Sequence, residues 1–487
     1  MLKCLSNQAI GSHPAGCLCQ SPAFARLNAR LNSKFSRRAF VAGTAVTAAA
    51  SVFATRPAAA RIPKAPDSAI AFTNVRVFDG KSESLRAGLR VIVEGQKIKA
   101  VEAAEKPLAA GVQTIDGGGR VLMPGLIDAH WHAMRAALPL TSLLVADAGF
   151  ISLAAADEAE QTLMRGFTSV RDMAGPSFSL KRAIDSGLAT GPRIWPSGAM
   201  ISQTGGHGDF RFPYEVPAAP NGPLSRGDVI GGGAIADGVD RVLVRAREQL
   251  MLGASQLKLA AGGGVSSIYD PIDVAQYTEP EFRAAVDAAE NWGTYVAVHA
   301  YTPRAIQTAI RGGVKCIEHG QLMDETTAKI IADKGIWLSS QPFLSNEYSN
   351  PQSTPEGRAK QLEVSNGTDT AYGFAKKYKM KTAWGTDILF NPKMTANQGA
   401  ILTTMTRWYT PAEVLKMATG DNAELLAMAG PRNPYPGKLG VVEEGAWADL
   451  LLIDGDPLTD IKLVADPDRN LKIIMKDGRI YKNRLAG

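Results

Sequence analysis

Residues 125–132 read GLIDAHWH, a short apolar run that breaks into two histidines, His130 and His132, spaced at i and i+2. Side chains two apart on a β-strand share a face, so one strand would present both imidazoles together. The chain has 487 residues and only six histidines, so the other four decide what the pair means. Seven further segments are written the same way, as apolar runs carrying or ending in polar groups. They are FTSVRDM (167–173), RIWPSG (193–198), QLKLA (256–260), YVAVHA (295–300), CIEHG (316–320), IWLSSQP (336–342) and TAWGTD (382–387). Between most of them lie helical stretches such as EPEFRAAVDAAENWG, TPRAIQTAIRGG and DETTAKIIADKG, each ending in glycine, a favoured helix stop. Eight βα repeats predict an α/β protein, a (β/α)8 TIM barrel. A doubly wound sheet is the competing architecture.

Both flanks are written differently. AIAFTNVRVFDG, GLRVIVEGQKIKAVEA and TIDGGGRVLM precede the first repeat, and GKLGVVEEGAWADLLLIDGD and LKIIMKDGRIYKN follow the last. Gly and Asp punctuation between alternating apolar residues indicates strands and tight turns, so a small β-sandwich built from both chain ends is expected. The expected organisation is a leader at 1–60, one sandwich part at 61–123, the barrel at 124–430 and the other part at 431–487. Two connections, about 201–240 and 342–380, are too long for simple crossovers and are candidate lids or substrate loops.

The net charge of +6 misleads. Residues 1–60 carry seven basic side chains (Lys3, Arg26, Arg30, Lys34, Arg37, Arg38, Arg56) and no acidic one, and without them the balance is −1. A nucleic-acid-binding surface thereby loses its main support. SRRAF (36–40), the mild apolar run VAGTAVTAAASVFA and AAAR (58–61) have the parts of an export signal. The paired arginines resemble a twin-arginine signal, with cleavage expected near Ala60 and a periplasmic or secreted product that has no membrane anchor once the signal is removed. The run is too short to span a bilayer. Cys4, Cys17 and Cys19 lie in this leader, so Cys316 alone permits no intramolecular disulfide in the mature chain.

His13 is in the leader, while His299 and His319 lie at the ends of the fifth and sixth strands and His207 in the loop TGGHGD after the third. Every mature histidine thus falls at or just beyond the C-terminal end of a predicted strand, where such barrels place their chemistry. Lys258 interrupts an apolar strand and Asp387 ends WGTD. Any one of these alone reads as a satisfied core group, but scattered core histidines have no reason to collect at one end of one barrel. Imidazole and carboxylate together suit Zn²⁺ and its neighbours. Lys258 has two readings: an ordinary lysine snorkelling from a strand end, or a buried amine of lowered pKa that captures CO₂ and bridges two cations as a carbamate.

The set HWH, KLA, VHAY, EHG and GTD, in this order, resembles the binuclear branch of the amidohydrolase superfamily. MPGLIDAHWH resembles its first-strand signature, GAWADLLLIDGDPL its C-terminal β segment, and the likeness covers nearly all of the mature chain. Lys258, Tyr301 in HAY and His207 in the loop after the third strand further resemble the prolidase and ochratoxin-hydrolysing group, related to imidazolonepropionases. The resemblance implies two divalent metal ions, with Zn²⁺ expected. His130 and His132 would hold the more buried one and His299 and His319 the more exposed one. N6-carboxylated Lys258 would bridge them, and Asp387 would ligate the buried ion. It implies hydrolysis, by a metal-bridging hydroxide, of the amide bond to a C-terminal amino acid in N-acyl amino acids or dipeptides, with ochratoxin A among the candidates. Asp387 would act as general base and then acid, with Tyr301 or His207 polarising and contacting the substrate. A homo-oligomer is also implied. There is no H-x-x-E arrangement of the deaminase kind, since Ala300-Tyr301-Thr302 follows His299.

Three weaker readings complete the expectation. GGGVSSIYDP (262–271) lacks the phosphate-loop pattern and is expected to shape the pocket. Arg171 and Asp172 are expected to form a structural ion pair, or failing that to touch substrate. Trp292, Trp337 and Trp384 are expected in the core. The competing functions are a lactonase or phosphotriesterase on the same metal pair, and a non-catalytic periplasmic binding protein, against which the presence of Asp387 weighs.

Overall fold

The computed structural model describes residues 68–217, 222–352 and 354–485, with single positions 63 and 66. The expected leader and export signal, with His13 and three cysteines, lie outside the described residues. All eight repeat segments form strands: β1 (Leu126–Trp131), β2 (Phe167–Asp172), β3 (Arg193–Pro196), β4 (Leu257–Ala260), β5 (Val296–Ala300), β6 (Cys316–His319), β7 (Trp337–Ser340) and β8 (Thr382–Trp384). They pair in parallel, β1-β2-β3 in one ladder and β4 through β8 in another. Nearly every residue in them is buried. Burial on both faces is why they read as apolar runs rather than as alternation.

Among the described residues neither ladder continues into the other by strand pairing, and the chain covers both junctions in another way. Between β8 and β1, the Asn422 amide donates to Ile127 O (2.7 Å) and Trp384 O (2.8 Å), and Asp387 N donates to His130 O (2.8 Å). Between β3 and β4, Ser255 N donates to Pro196 O (2.7 Å) and Gln256 Nε2 to Trp195 O (3.0 Å). These bonds satisfy strand-edge groups that would otherwise be buried unpaired.

Helices follow the expected stretches: Glu279–Asn291, Pro303–Arg311 and Glu325–Asp333. The first opens with a capping box, Thr278 N donating to Glu281 Oε2 (2.8 Å), which satisfies an end N–H. The long connections are less irregular than expected. Strands Met200–Ser202 and Gly233–Ile235 and helix Arg226–Val229 occupy the first, the two strands extending the β4 ladder outward. In the second, helix Pro355–Lys377 is itself the crossover from β7 to β8, leaving only its approach as a loop.

The chain ends build one mixed sheet in the order 479–483, 471–476, 450–453, 121–124, 70–77, 86–94, 97–103, with 113–116 pairing on 70–77. Strand 450–453 is buried on both sides. Leu450 and Leu452 pack in the sheet's own cluster with Phe72 and Ile473, while Leu451 and Ile453 pack with Phe167 and Val170 of β2. Full burial of each such side chain contributes about 1.5–3 kcal/mol. Arg193 of β3 adds a polar tie, donating through Nε to Asp449 Oδ2 (3.0 Å) and also to Asp477. Among the described residues no helix is long and apolar enough to cross a membrane.

Candidate metal centre

The C-terminal ends of β1, β4, β5, β6 and β8 bring His130, His132, Lys258, His299, His319 and Asp387 to one cleft, where all six line the wall with Tyr301 and His207. The ring centroids of His130 lie 5.4 Å from His132 and 4.9 Å from His319, and His319 lies 4.5 Å from His299. One ligand atom each of His130, His319 and Asp387 falls within 4.8 Å of the others.

Each of the four histidines has one ring nitrogen committed outward. His130 Nδ1 donates to Glu318 Oε2 (2.8 Å), His132 Nδ1 to Ala174 O (3.3 Å), His319 Nδ1 to Gln341 Oε1 (2.6 Å) and His299 Nε2 to Gly263 O (3.0 Å). Such outward bonds fix the tautomer and leave the other nitrogen with its lone pair facing inward. Two of those inward nitrogens, Nε2 of His130 and of His132, stand 3.3 and 2.8 Å from Asp387 Oδ1. Lone pairs aimed at a carboxylate repel unless a cation lies among them. The donor set therefore fits divalent metal ions.

Electrostatics run the same way. Burial pushes the His130 imidazolium down to about 4, and burial likewise holds His299 and His319 well below the ordinary histidine value. Burial favours a protonated Asp387, but positive charge at His130, His132 and His319 outweighs it and holds the carboxyl below the usual range, a charge that a cation bound among their lone pairs would supply. Burial lowers Lys258 to about 8, and its Nζ has no hydrogen-bond partner among the described residues. An amine so placed is available to react. His319 (φ 81°) and Asp387 (φ 55°) sit in the left-handed region, which costs about 1–3 kcal/mol apiece and clusters at functional sites.

His207 reaches the cleft from the loop after β3. Its ring stacks on His299 at 3.9 Å between centroids, and Nδ1 lies 2.7 Å from Ser267 Oγ and 3.6 Å from Asp270 Oδ2. The glycine-rich segment after β4 thus shapes the pocket, with Val265 and Ser266 in the wall. Tyr301 is buried beside His299 and His319, 4.9 and 5.2 Å between centroids. The cleft is walled by Phe210, Phe343, Tyr348, Val364 and Met394. Arg135 is the one arginine in that wall among the described residues.

Two expectations are corrected. Arg171 does not pair with Asp172, and neither lines the cleft. Consecutive strand residues point to opposite faces, so Arg171 turns inward to Glu318 (2.6 and 2.8 Å). Asp172 instead accepts from Ala133 N (2.8 Å) and Ser177 Oγ (2.7 Å). Trp337 and Trp384 are in the core, but Trp292, at a helix C-terminus, is 39% exposed. Glu318, Gln341, Ser267 and Asp270 are supporting residues that sequence reasoning passed over. Of these, Glu318 stood in view, a carboxylate inside the otherwise apolar CIEHG.

Comparison with known proteins agrees with this chemistry. The amidohydrolase family model matches residues 121–481. An ochratoxinase of Aspergillus niger is 32% identical over 373 residues, covering 74% of this chain and 76% of that protein. The crystal structure of an amidohydrolase matches with a TM-score of 0.78 at 35% identity, over 86% of this chain and 100% of that one. That of a prolidase complexed with N-methylphosphonate-L-proline does so with a TM-score of 0.78 at 34% identity, over the same 86% and 100%. The chain therefore belongs to the amidohydrolase family and is a hydrolase acting on amide bonds.

Proposed function

We propose that the protein hydrolyses the amide bond to a C-terminal amino acid in N-acyl amino acids or dipeptides, using two divalent cations at the C-terminal end of a (β/α)8 barrel. The observation that carries this is the set of inward-facing lone pairs of His130, His132, His299 and His319 around Asp387 and unpartnered Lys258. Zinc held by these residues would supply an activated water and a Lewis acid for the carbonyl. Lys258 Nζ joins the carbon of CO₂ and releases a proton, and the carbamate adds an anion between the two histidine pairs. Asp387 accepts the proton of the attacking water and delivers it to the departing amine nitrogen, general base first and general acid second. His207 and Tyr301 orient the carbonyl and the substrate, and the aromatic wall excludes water. The relatives named ochratoxinase and prolidase support an amide with an amino-acid leaving group. Export through the residue 1–60 leader belongs to the same proposal.

The direct test is mass spectrometry of products from zinc-loaded protein given N-acyl amino acids, Xaa-Pro and other dipeptides, ochratoxin A, lactones and phosphotriesters. Release of a free C-terminal amino acid, abolished by chelation, is expected. Cleavage confined to lactones or phosphotriesters would overturn the reading.

Lys258→Ala is expected to lose metal affinity by more than the roughly 10–100-fold typical of an outer-shell change, with activity partly restored by millimolar acetate or formate. A fully active, metal-replete variant would remove the carbamate from the mechanism. Gly385→Ala tests the packing behind the centre. A Cβ there would stand 2.4 Å from His130 N and 2.5 Å from His130 Cβ, so β8 and β1 must separate. Overpacking of this kind costs about 1–3 kcal/mol, and a 1 Å shift of a ligand costs on the order of 100-fold in rate. Thermal melts and kcat/KM of the variant would show both losses, or neither if the strands yield freely.

A further inference from the structure

The chain leaves β1 through a turn in which Arg135 N donates to His132 O (3.0 Å), and Phe390 N donates to Arg135 O (2.9 Å). Arg135 is thereby fixed between the segments that carry His132 and Asp387. Its side chain lines the metal cleft while only 4% exposed. Arginine carries a fork of N–H donors and a charge it does not give up. Here one Nη2 donor reaches Gly232 O, and among the described residues no other hydrogen bond and no ion pair engages the guanidinium. Its flank is apolar: the Phe210 ring centre lies 5.4 Å away, and Phe390 stands edge-on to that ring at 6.0 Å. Burial pulls the guanidinium down to about 10, with the charges of Asp172 and Asp387 opposing, so it stays cationic at neutral pH. Neither carboxylate is spare. Asp172 accepts from Ala133 N (2.8 Å) and Ser177 Oγ (2.7 Å), and Asp387 faces His130 and His132. Other cations are spent as well. Lys258 is the bridging group of the proposed centre, and Lys360 gives its ammonium to the carbonyls of Gly264 (3.3 Å), Ser267 (3.2 Å) and Asp270 (2.7 Å).

A buried cation with unspent donors is costly until an anion meets it, and the planar fork matches a carboxylate. We propose that Arg135 is a specificity-determining residue that receives a carboxylate of the substrate, so that the protein selects amides carrying a free acid over their neutral counterparts. The proposal rests on the amide-hydrolase reading and narrows it. Two positions on a substrate supply this chemistry: the α-carboxylate of the departing amino acid, and a carboxylate at the far end of a dicarboxylic acyl group. Either accepts from the donors that the fold leaves unspent. A carboxamide or a methyl group in its place leaves the cation stranded.

The test is kcat/KM of the zinc-loaded protein on N-butyryl-L-phenylalanine, N-butyryl-L-phenylalaninamide and N-succinyl-L-phenylalaninamide. The first carries its carboxylate on the leaving amino acid, the third carries it on the acyl group, and the second has none. Calorimetry with the ketomethylene isosteres of the same compounds, in which CH₂ replaces the scissile N–H, supplies a readout without turnover. One of the acids is expected to exceed the neutral amide by on the order of 10–100-fold, and the acid that does so locates the carboxylate. In Arg135→Met that preference is expected to disappear, while Arg135→Lys, which keeps the charge and loses the fork, retains part of it. Should Arg135→Met fail to fold, the wild-type series and Arg135→Lys decide by the same ratio. Equal rates on all substrates, a preference that survives in Arg135→Met, or an equal loss on acids and neutral amide in that variant overturns the proposal. Arg135-dependent preference among the isosteres with no amide hydrolysed would sink the hydrolytic reading and leave the carboxylate site standing. Hydrolysis without preference for an acid does the reverse.

Discussion

Asp387→Asn is expected to lower kcat/KM by on the order of 10²–10⁴-fold while the protein stays folded. The side chain keeps its shape and loses its charge. In the structure that charge sits among three imidazoles, with Oδ1 2.8 Å from His132 Nε2 and 3.3 Å from His130 Nε2. The amide oxygen can still face a cation, but it cannot take a proton from water or return one to the leaving nitrogen. Metal content measured beside kinetics separates the two roles: loss of turnover at full metal occupancy assigns proton transfer to Asp387. Parallel loss of both assigns it mainly to ligation. An active, metal-replete Asn variant would move the acid–base role elsewhere, with His207 the next candidate because it faces the same cleft.

How legible this was in the sequence differs residue by residue, for physical reasons. The eight strands showed because parallel strands buried on both faces must be written as apolar runs. The polar residues that interrupt them then stand out, and His130, His132, Lys258, His299 and His319 were found that way. Asp387 was found from its place just past the last run. Strands Met200–Ser202 and Gly233–Ile235 did not show, because three residues are too short to display a period. The crossover helix Pro355–Lys377 was hidden by its composition, with Gly357, Ser365, Asn366, Gly367 and Gly373 weakening the helical pattern. The partners behind the ligands were the hardest part. Gln341 lies 22 residues from His319 and Glu318 lies 188 from His130, so only the folded chain pairs them. The Arg171–Asp172 expectation, by contrast, was avoidable, since strand geometry alone places neighbours on opposite faces.

Arg171→Met is expected to produce the largest loss of stability, about 3–5 kcal/mol. Arg171 is fully buried and nearly saturates its donors. Nε binds Ala129 O (2.6 Å), Nη1 binds Tyr295 Oη (3.1 Å), and Nη2 binds both Glu318 oxygens and Ser339 Oγ (3.0 Å). Burial favours the protonated form of Glu318, and the Arg171 guanidinium overrides it, holding the carboxyl well below 4.5. With that folded value depressed, the pair's contribution is complete above the unfolded carboxylate range, fades as pH falls from there, and is gone below the depressed value. Removing Arg171 strands a buried anion. Glu318 then takes up a proton and ceases to be the obligate acceptor for His130 Nδ1, which frees the imidazole from the tautomer that presents Nε2 to the centre. Urea unfolding of Arg171→Met, Glu318→Gln and the double variant would resolve the two effects. The double variant should recover much of the stability, because no charge is left unpaired. If it also recovers metal affinity, a neutral amide oxygen at position 318 suffices to orient His130. If affinity stays low while stability returns, the negative charge of Glu318, transmitted through His130, is what strengthens the ligand. A single-variant cost below about 1 kcal/mol would mean that water or a neighbouring hydroxyl compensates Glu318, and that the pair's role is confined to aiming the histidine.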